Sequence, residues 1–248
     1  VPHAIKGLQI TVDASVGIAV FPKSGKTADA ILRAADLAMH RAKSEDRNCY
    51  RFYSIEMNGR ARARLMLEQS LRRAIAAQEF ELYFQPQMHV GSRHLRGFEA
   101  LLRWRHVTAG MVQPGVFIPV LEEAGFINLL GPWIINATCR QIAEWRDVLP
   151  PDSCVGLNLS SVQFANRDLV ASVASAIELY GINPHQLELE VTESTLITNV
   201  EHTRQVLRQL RELGVRTAID DFGTGYSSVA YLRQFEVDTL KIDKLFVS

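Results

Sequence analysis

The chain has 248 residues, enough for one large domain or two smaller ones with a substantial buried core. Its 27 lysines and arginines balance 27 aspartates and glutamates, so the formal net charge is zero. That balance argues against a surface that coats polymeric nucleic acid, while a local cationic pocket stays open.

Taken in chain order, 8–21 reads as extended, with the β-favouring Ile10, Val12, Val16, Ile18 and Val20 leading to the turn signal Pro22-Lys23-Ser24-Gly25. Helical spacing then sets Ile31, Leu32, Ala35, Leu37, Ala38 and Met39 on one apolar stripe. Polar residues at 43–48 end that helix before a short strand at 49–53. This opening segment is too short to bury a core by itself. An arginine-rich helix is predicted over about 57–78, with Leu65, Leu67, Leu71 and Ile75 as its apolar positions. It serves both as a linker and as the first helix of the next domain.

From Phe80 onward, strands are predicted near 80–86, 94–104, 154–160, 186–192, 215–221 and 237–243. Helices are predicted near 116–124, 131–148, 166–180, 199–213 and 226–234. The alternation points to an α/β chain with a parallel sheet and crossover helices. No GxGxxG phrase follows the first strand, and several strands end in polar residues. A TIM-like (β/α) barrel therefore explains the pattern better than a doubly wound sheet.

Strand side chains alternate between two faces. Glu99, Leu101 and Arg103 share one face, as do Asn158 and Ser160, then Glu188, Glu190 and Thr192, and finally Lys241 and Asp243. A buried parallel strand is ordinarily apolar on both faces, so four strands with one charged face suggest a polar barrel mouth. Glu99, Asn158, Glu190, Asp220 and Asp221 would assemble four carboxylates and an amide. Such a cluster calls for cations, and with no thiol nearby the choice falls on hard divalent ions, Mg²⁺ or Mn²⁺. Arg103 could pair with a phosphate oxygen, and Lys241 could hold a water.

The phrases that carry this chemistry are Phe98-Glu99-Ala100-Leu101-Leu102-Arg103-Trp104, Asn158-Leu159-Ser160, Glu190-Val191-Thr192-Glu193, Asp220-Asp221-Phe222-Gly223-Thr224-Gly225-Tyr226-Ser227-Ser228 and Lys241-Ile242-Asp243. As a set, with Gln113-Pro114-Gly115-Val116-Phe117-Ile118-Pro119, they resemble the EAL-domain family of bacterial cyclic di-GMP phosphodiesterases over about 64–248. Residues 8–53 resemble the last part of a GGDEF (diguanylate cyclase) domain. The matching phrases there are Ala14-Ser15-Val16-Gly17-Ile18-Ala19, Ala34-Ala35-Asp36-Leu37-Ala38-Met39 and Ala42-Lys43. The GGDEF turn itself is absent, and no cyclase activity is inferred.

The resemblance implies a GGDEF remnant over 1–56, a helical linker over 57–78 and an incomplete EAL barrel over 79–248. It implies Glu99, Asn158, Glu190, Asp220 and Asp221 as ligands of two Mg²⁺ or Mn²⁺ ions. Lys241, Glu99 and Asp220 would be catalytic, and Gln85, Leu101 and Arg103 would bind cyclic di-GMP. The implied reaction is hydrolysis to linear pGpG, with a homodimer formed through the EAL part. The family pattern continues past Ser248 with an Ala-Glu-Gly-Val-Glu strand and a Gln-Gly strand. The chain is therefore expected to be a fragment, inactive or nearly so by itself. The alternative is a cyclic di-GMP sensor or interaction module without turnover.

Each residue also has a plainer reading. Asp220-Asp221 could form a strand-end turn or a cap, Asn158 and Ser160 could cap a helix, and Arg103 could lie over Trp104. Lys241 could be an internal salt-bridge partner, Glu193 a supporting residue, and Glu122 and Glu123 part of a solvated helix face. His89, His94 and His106 lack metal-ligand spacing and read as surface residues. Cys49, Cys139 and Cys154 form no CxxC pair, which sets aside a thiolate zinc site and suggests a reducing cytoplasm. No apolar run approaches the about 20 residues needed to cross a bilayer, so any membrane contact is expected from segments outside this chain.

Overall fold

A computed structural model describes residues 2–5, 8–11, 13–45, 48–223 and 235–246. The expected helix at 226–234 and the 224–228 part of the phrase that begins at Asp220 lie outside these described residues. The chain divides into two compact units, Val1–Gln69 and Ser70–Ser248.

In the first unit, β1 (Pro2–Ile5) pairs antiparallel with β2 (Leu8–Thr11). Strand β3 (Val16–Ile18) pairs in parallel with β4 (Tyr50–Phe52), joined by the crossover helix α1 (Ala28–Glu45). Ala34, Ala38 and Ala42 are the buried positions of α1. Gly17 explains why small residues face the sheet there. A Cβ on it would lie 1.9 Å from the Ala35 carbonyl oxygen, so strand and helix touch through backbone. Helix α2 (Ile55–Ala77) comes next, and the division between the units falls within it.

The second unit is built on a seven-stranded sheet among the described residues. Its strands are β5 (Phe80–Met88), β6 (Leu95–His106), β7 (Gly110–Val112), β8 (Cys154–Leu159), β9 (Leu187–Thr192), β10 (Arg216–Phe222) and β11 (Thr239–Ile242). The spatial order is β11-β10-β9-β8-β6-β5, with β7 paired beside β6. Ladders from β6 through β11 are parallel, whereas β5–β6 and β6–β7 are antiparallel. The connection at 89–94 is too short for a crossover, so the first two strands must form a hairpin. This is an incomplete TIM-like barrel, and β5 and β11 form no ladder with each other among the described residues.

The crossovers are α3 (Pro114–Glu123) and α4 (Ile127–Glu144), then α5 (Ser161–Phe164) and α6 (Leu169–Tyr180), then α7 (Glu193–Thr198) and α8 (Val200–Glu212). Helix α4 begins earlier than the predicted 131, and Pro132 sits inside it without ending it. The short elements β1, β7, α5 and α7 carry no periodicity long enough to read from the sequence. The core lies between the helices and the outer face of the sheet. Ile134, Ile135, Cys139 and Ile142 of α4, Val173 and Ala176 of α6, and Val206, Leu207 and Leu210 of α8 are buried in it. From the strands come Val155, Leu157, Leu159, Leu187, Leu189, Val191 and Ile219. Phe80, Trp104 and Phe117 close one end as an aromatic cluster with ring centroids 5.8–6.0 Å apart.

Gly97 decides whether the hairpin can join the parallel sheet. A Cβ there would lie 1.8 Å from the Cys154 carbonyl oxygen, in the ladder between β6 and β8. Gly97→Ala is expected to destabilise the fold by about 2–3 kcal/mol, read as a lowered Tm in thermal denaturation. Gly91→Ala, with nothing within 4 Å of the added carbon, should leave the Tm unchanged.

Candidate functional site

The inner face of the sheet is polar because alternate residues of four strands are charged or amide-bearing. Lys241 of β11 stands at its centre. Its ammonium donates to Glu190 Oε2 at 2.5 Å and to Glu99 Oε2 at 3.4 Å, and lies 3.8 Å from Asp220 Oδ1. Asn158 Nδ2 donates to Glu99 Oε1 at 2.7 Å. Thus β6, β8, β9, β10 and β11 each deliver one of five side chains to a single cluster.

Three carboxylates share one ammonium, and the most deeply buried of them is Glu190. The Glu190 side chain is fully buried. Its pKa is pushed up to about 7 by burial, which Lys241 only partly offsets, with Glu99 and Asp220 adding smaller like-charge repulsion. Burial pulls Lys241 downward, but Glu190, Glu99 and Asp220 outweigh it and its pKa is raised. Glu190 Oε1 is buried with no hydrogen-bond partner among the described residues. It occupies the hollow left by Gly156, where a Cβ would lie 2.2 Å away.

Asp220 and Asp221 are consecutive, and regular alternation would send them to opposite faces. The β10–β11 ladder slips between Ile219 and Phe222, a bulge that re-aims the chain, and Asp221 takes φ 52 in the left-handed region. Asp221 consequently meets Asp243, and its pKa is raised by burial, by Asp220 and by a hydrogen bond with Asp243. Asp243 is a site neighbour that the sequence placed on the Lys241 face without singling it out. The strand end is tied down from the start of α7, where buried Glu193 accepts from the Gly223 backbone N–H at 2.9 Å. Glu193 therefore holds Gly223 through a backbone contact.

Gln85, Leu101 and Arg103 come from the β5–β6 hairpin. Gln85 is opposite Glu99 in the β5–β6 register, Leu101 opposite Tyr83, and Arg103 opposite Glu81. The ladder of β6 with β8 ends at Ala100, so Leu101 and Arg103 extend beyond the barrel wall. The Arg103 guanidinium lies 5.6 Å over the Tyr83 ring and donates to the Leu102 carbonyl at 3.0 Å. The suggested stacking on Trp104 does not occur. Trp104 is buried on the opposite face, where its indole N–H donates to Glu79. Ser160 does cap a helix, through a capping box with Gln163 at the start of α5. Glu122 is half-buried, and burial raises its pKa, so the solvated-face reading holds only for Glu123.

Among the described residues, no group of three or more histidine, cysteine, aspartate or glutamate side chains is already arranged to hold a metal. The Lys241 ammonium supplies the cationic charge at the centre of the carboxylates instead. No helix among the described residues is long and apolar enough to cross a membrane.

The raised Glu190 pKa links this site to stability. Its ordinary value is 4.5, so between pH 4.5 and about 7 the unfolded chain loses this proton first and folding weakens as pH rises. The penalty is complete above about pH 7 and absent below 4.5. Glu190→Gln is therefore expected to raise the Tm of the ion-free protein by a few degrees at pH 8. The gain should vanish at pH 4, and calorimetry at both pH values checks it.

Residues 68–248 match the EAL domain family, and residues 1–49 match the family described as diguanylate cyclase, GGDEF domain. The chain is 39% identical over 247 residues to the bifunctional diguanylate cyclase/cyclic di-GMP phosphodiesterase MucR of Pseudomonas aeruginosa, covering 100% of this chain and 36% of that protein. It is 35% identical to the cyclic di-GMP phosphodiesterase PdeR of Escherichia coli, covering 99% of this chain and 37% of that protein. The chain thus spans about a third of the length of such relatives. A solved structure of a MucR phosphodiesterase in complex with c-di-GMP superposes with a TM-score of 0.70 at 40% identity, over 73% of this chain and 74% of the other. With the family match covering most of its length, the chain belongs to the EAL domain family.

Proposed function

We propose that this chain supplies the site at which a bacterial signalling protein hydrolyses cyclic di-GMP to linear pGpG. The observation that carries the reading is the convergence of Glu99, Glu190 and Asp220 with Asn158 on Lys241, at the carboxyl ends of parallel strands. That is where β/α barrels assemble their active sites. The named activities of the relatives and the c-di-GMP complex of a structural neighbour support it.

The donor set fits divalent cations. Carboxylates outnumber the one ammonium, and buried Glu190 Oε1 has no partner among the described residues. Glu99, Asn158, Glu190, Asp220 and Asp221 would hold two Mg²⁺ or Mn²⁺ ions, all through hard oxygen atoms. When bound, such ions supply Lewis-acid charge to the phosphoryl oxygens and lower the pKa of water. The chain's own residues do the rest. Lys241 orients the attacking water with an ammonium that its carboxylate neighbours keep protonated. Arg103 pairs with a phosphate oxygen through its planar fork, braced by the Tyr83 ring, and Gln85 and Leu101 line the substrate's path. Water oxygen bonds to phosphorus as the bond from phosphorus to O3′ breaks, and O3′ takes up a proton.

In this reading 1–56 is a GGDEF remnant, 57–78 a helical linker and 79–248 the EAL part, which pairs as a cytoplasmic homodimer. Sedimentation velocity checks the pairing.

The deciding assay is chromatography of cyclic di-GMP and pGpG with Mg²⁺ or Mn²⁺, using the chain extended to the length of its relatives. Hydrolysis is expected, with complete loss in EDTA. Glu99→Ala should lower turnover at least about 100-fold, and Lys241→Met should lower kcat with little change in KM. Binding of cyclic di-GMP without any pGpG under all these conditions would leave the sensor reading in place.

A further inference from the structure

Beneath the Lys241 cluster lies a second polar group that the proposed reaction does not use. Glu188, two residues before Glu190 on the same face of β9, is fully buried. Its carboxylate accepts from Arg96 Nη2 at 3.2 and 3.1 Å and from Thr239 Oγ1 at 2.8 Å. Arg96 also donates to Thr239 Oγ1 at 3.3 Å and, through Nη1, to Gln87 Oε1 at 2.6 Å. The four residues come from β5, β6, β9 and β11.

Strands β6 and β11 are not neighbours in the sheet, and the ladder order places β10, β9 and β8 between them. The contacts of Arg96 with Glu188 and Thr239 therefore cross the barrel interior. Strand β11 is only four residues long and joins the sheet through a ladder with β10 that slips by a residue. Thr239 is two residues before Lys241, so the side chain that meets Glu188 shares a face with the lysine that meets Glu190. Stability alone does not call for an ion pair here, because a buried pair is at best even with well-packed apolar residues of the same volume. What hydrogen bonds add is direction and register.

We infer that Glu188, with Arg96 and Thr239, is a positioning strut that sets the distances of Lys241 from Glu99 and Glu190. It touches neither substrate nor cation. The inference rests on the phosphodiesterase reading for its effect on turnover, but not for its geometry.

Thr239→Val tests it, since the substitution keeps the β-branched shape and removes the hydroxyl. The variant is expected to fold with a Tm close to the parent's. Its kcat for cyclic di-GMP and its affinity for Mn²⁺ should each fall about tenfold with KM little changed. Thr239→Ser should restore both. In a crystal structure of the valine variant, Lys241 should lie farther from Glu99 and Glu190 than in the parent. Unchanged kcat, Mn²⁺ affinity and Lys241 distances in the valine variant would overturn the strut. Equal losses in the valine and serine variants would also overturn it. Should Thr239→Val not fold, Arg96→Lys takes its place under the same readouts, because a lysine cannot span Gln87, Glu188 and Thr239 at once. A parent protein with no hydrolysis would sink the phosphodiesterase reading alone, and the Lys241 distances in the variant would still decide the strut.

Discussion

The ion cluster around Lys241 is the constraint on which the second unit depends. Taking an isolated carboxylate out of water costs several kcal/mol, and here three face one interior. A single ammonium, 2.5 Å from Glu190 and 3.4 Å from Glu99, makes that arrangement tolerable but not comfortable. Glu190 shows the deficit, with a pKa of about 7 and an oxygen that has no partner among the described residues. The outer face of the same strands supplies the compensation. Leu157, Leu159, Leu187, Leu189, Val191 and Ile219 are buried under the helices, each contributing about 1.5–3 kcal/mol.

Two departures from regular strand geometry let the cluster form. Gly156 leaves room on β8 for the Glu190 carboxylate, and past the bulge after Ile219 Asp220 meets Lys241 while Asp221 meets Asp243. Neither feature stabilises the fold by itself, since glycine weakens a strand and φ 52 is costly for an aspartate. Both make chemical sense only where excess negative charge is wanted. On the proposed reading such a site receives cations and a phosphodiester, in keeping with the named activities of the relatives.

The division of labour among the strands follows from their direction. Parallel strands β8, β9, β10 and β11 present their carboxyl ends together, which gathers Asn158, Glu190, Asp220 and Lys241. The antiparallel hairpin β5–β6 outruns that wall and carries Leu101, Arg103 and Tyr83 past it. One element thus joins the carboxylate floor, through Glu99, to the wall formed by Arg103 and Tyr83. Below the floor, the Arg96–Glu188–Thr239 contacts link strands that share no ladder.

Much of this was legible in the sequence. Alternation placed Glu99, Asn158, Glu190 and Lys241 on inner faces, and the strand and helix order led to a barrel. The family phrases named the chemistry. Short elements such as β7 and α7 escaped because they complete no period. Arg103 was matched to the wrong aromatic, because a neighbour in sequence lies on the opposite face of a strand while Tyr83 arrives from the paired one. Glu188 was seen to share the face of Glu190, but its partners lie 92 and 51 residues away. The sequence by itself therefore determined which residues face inward, through local periodicity, and which family the chain belongs to, through its phrases. Only the tertiary structure decided which carboxylates share Lys241, where Glu190 finds its hollow, and how β11 is held across the interior. Those depend on register and distance between strands far apart in the chain, which no local pattern encodes.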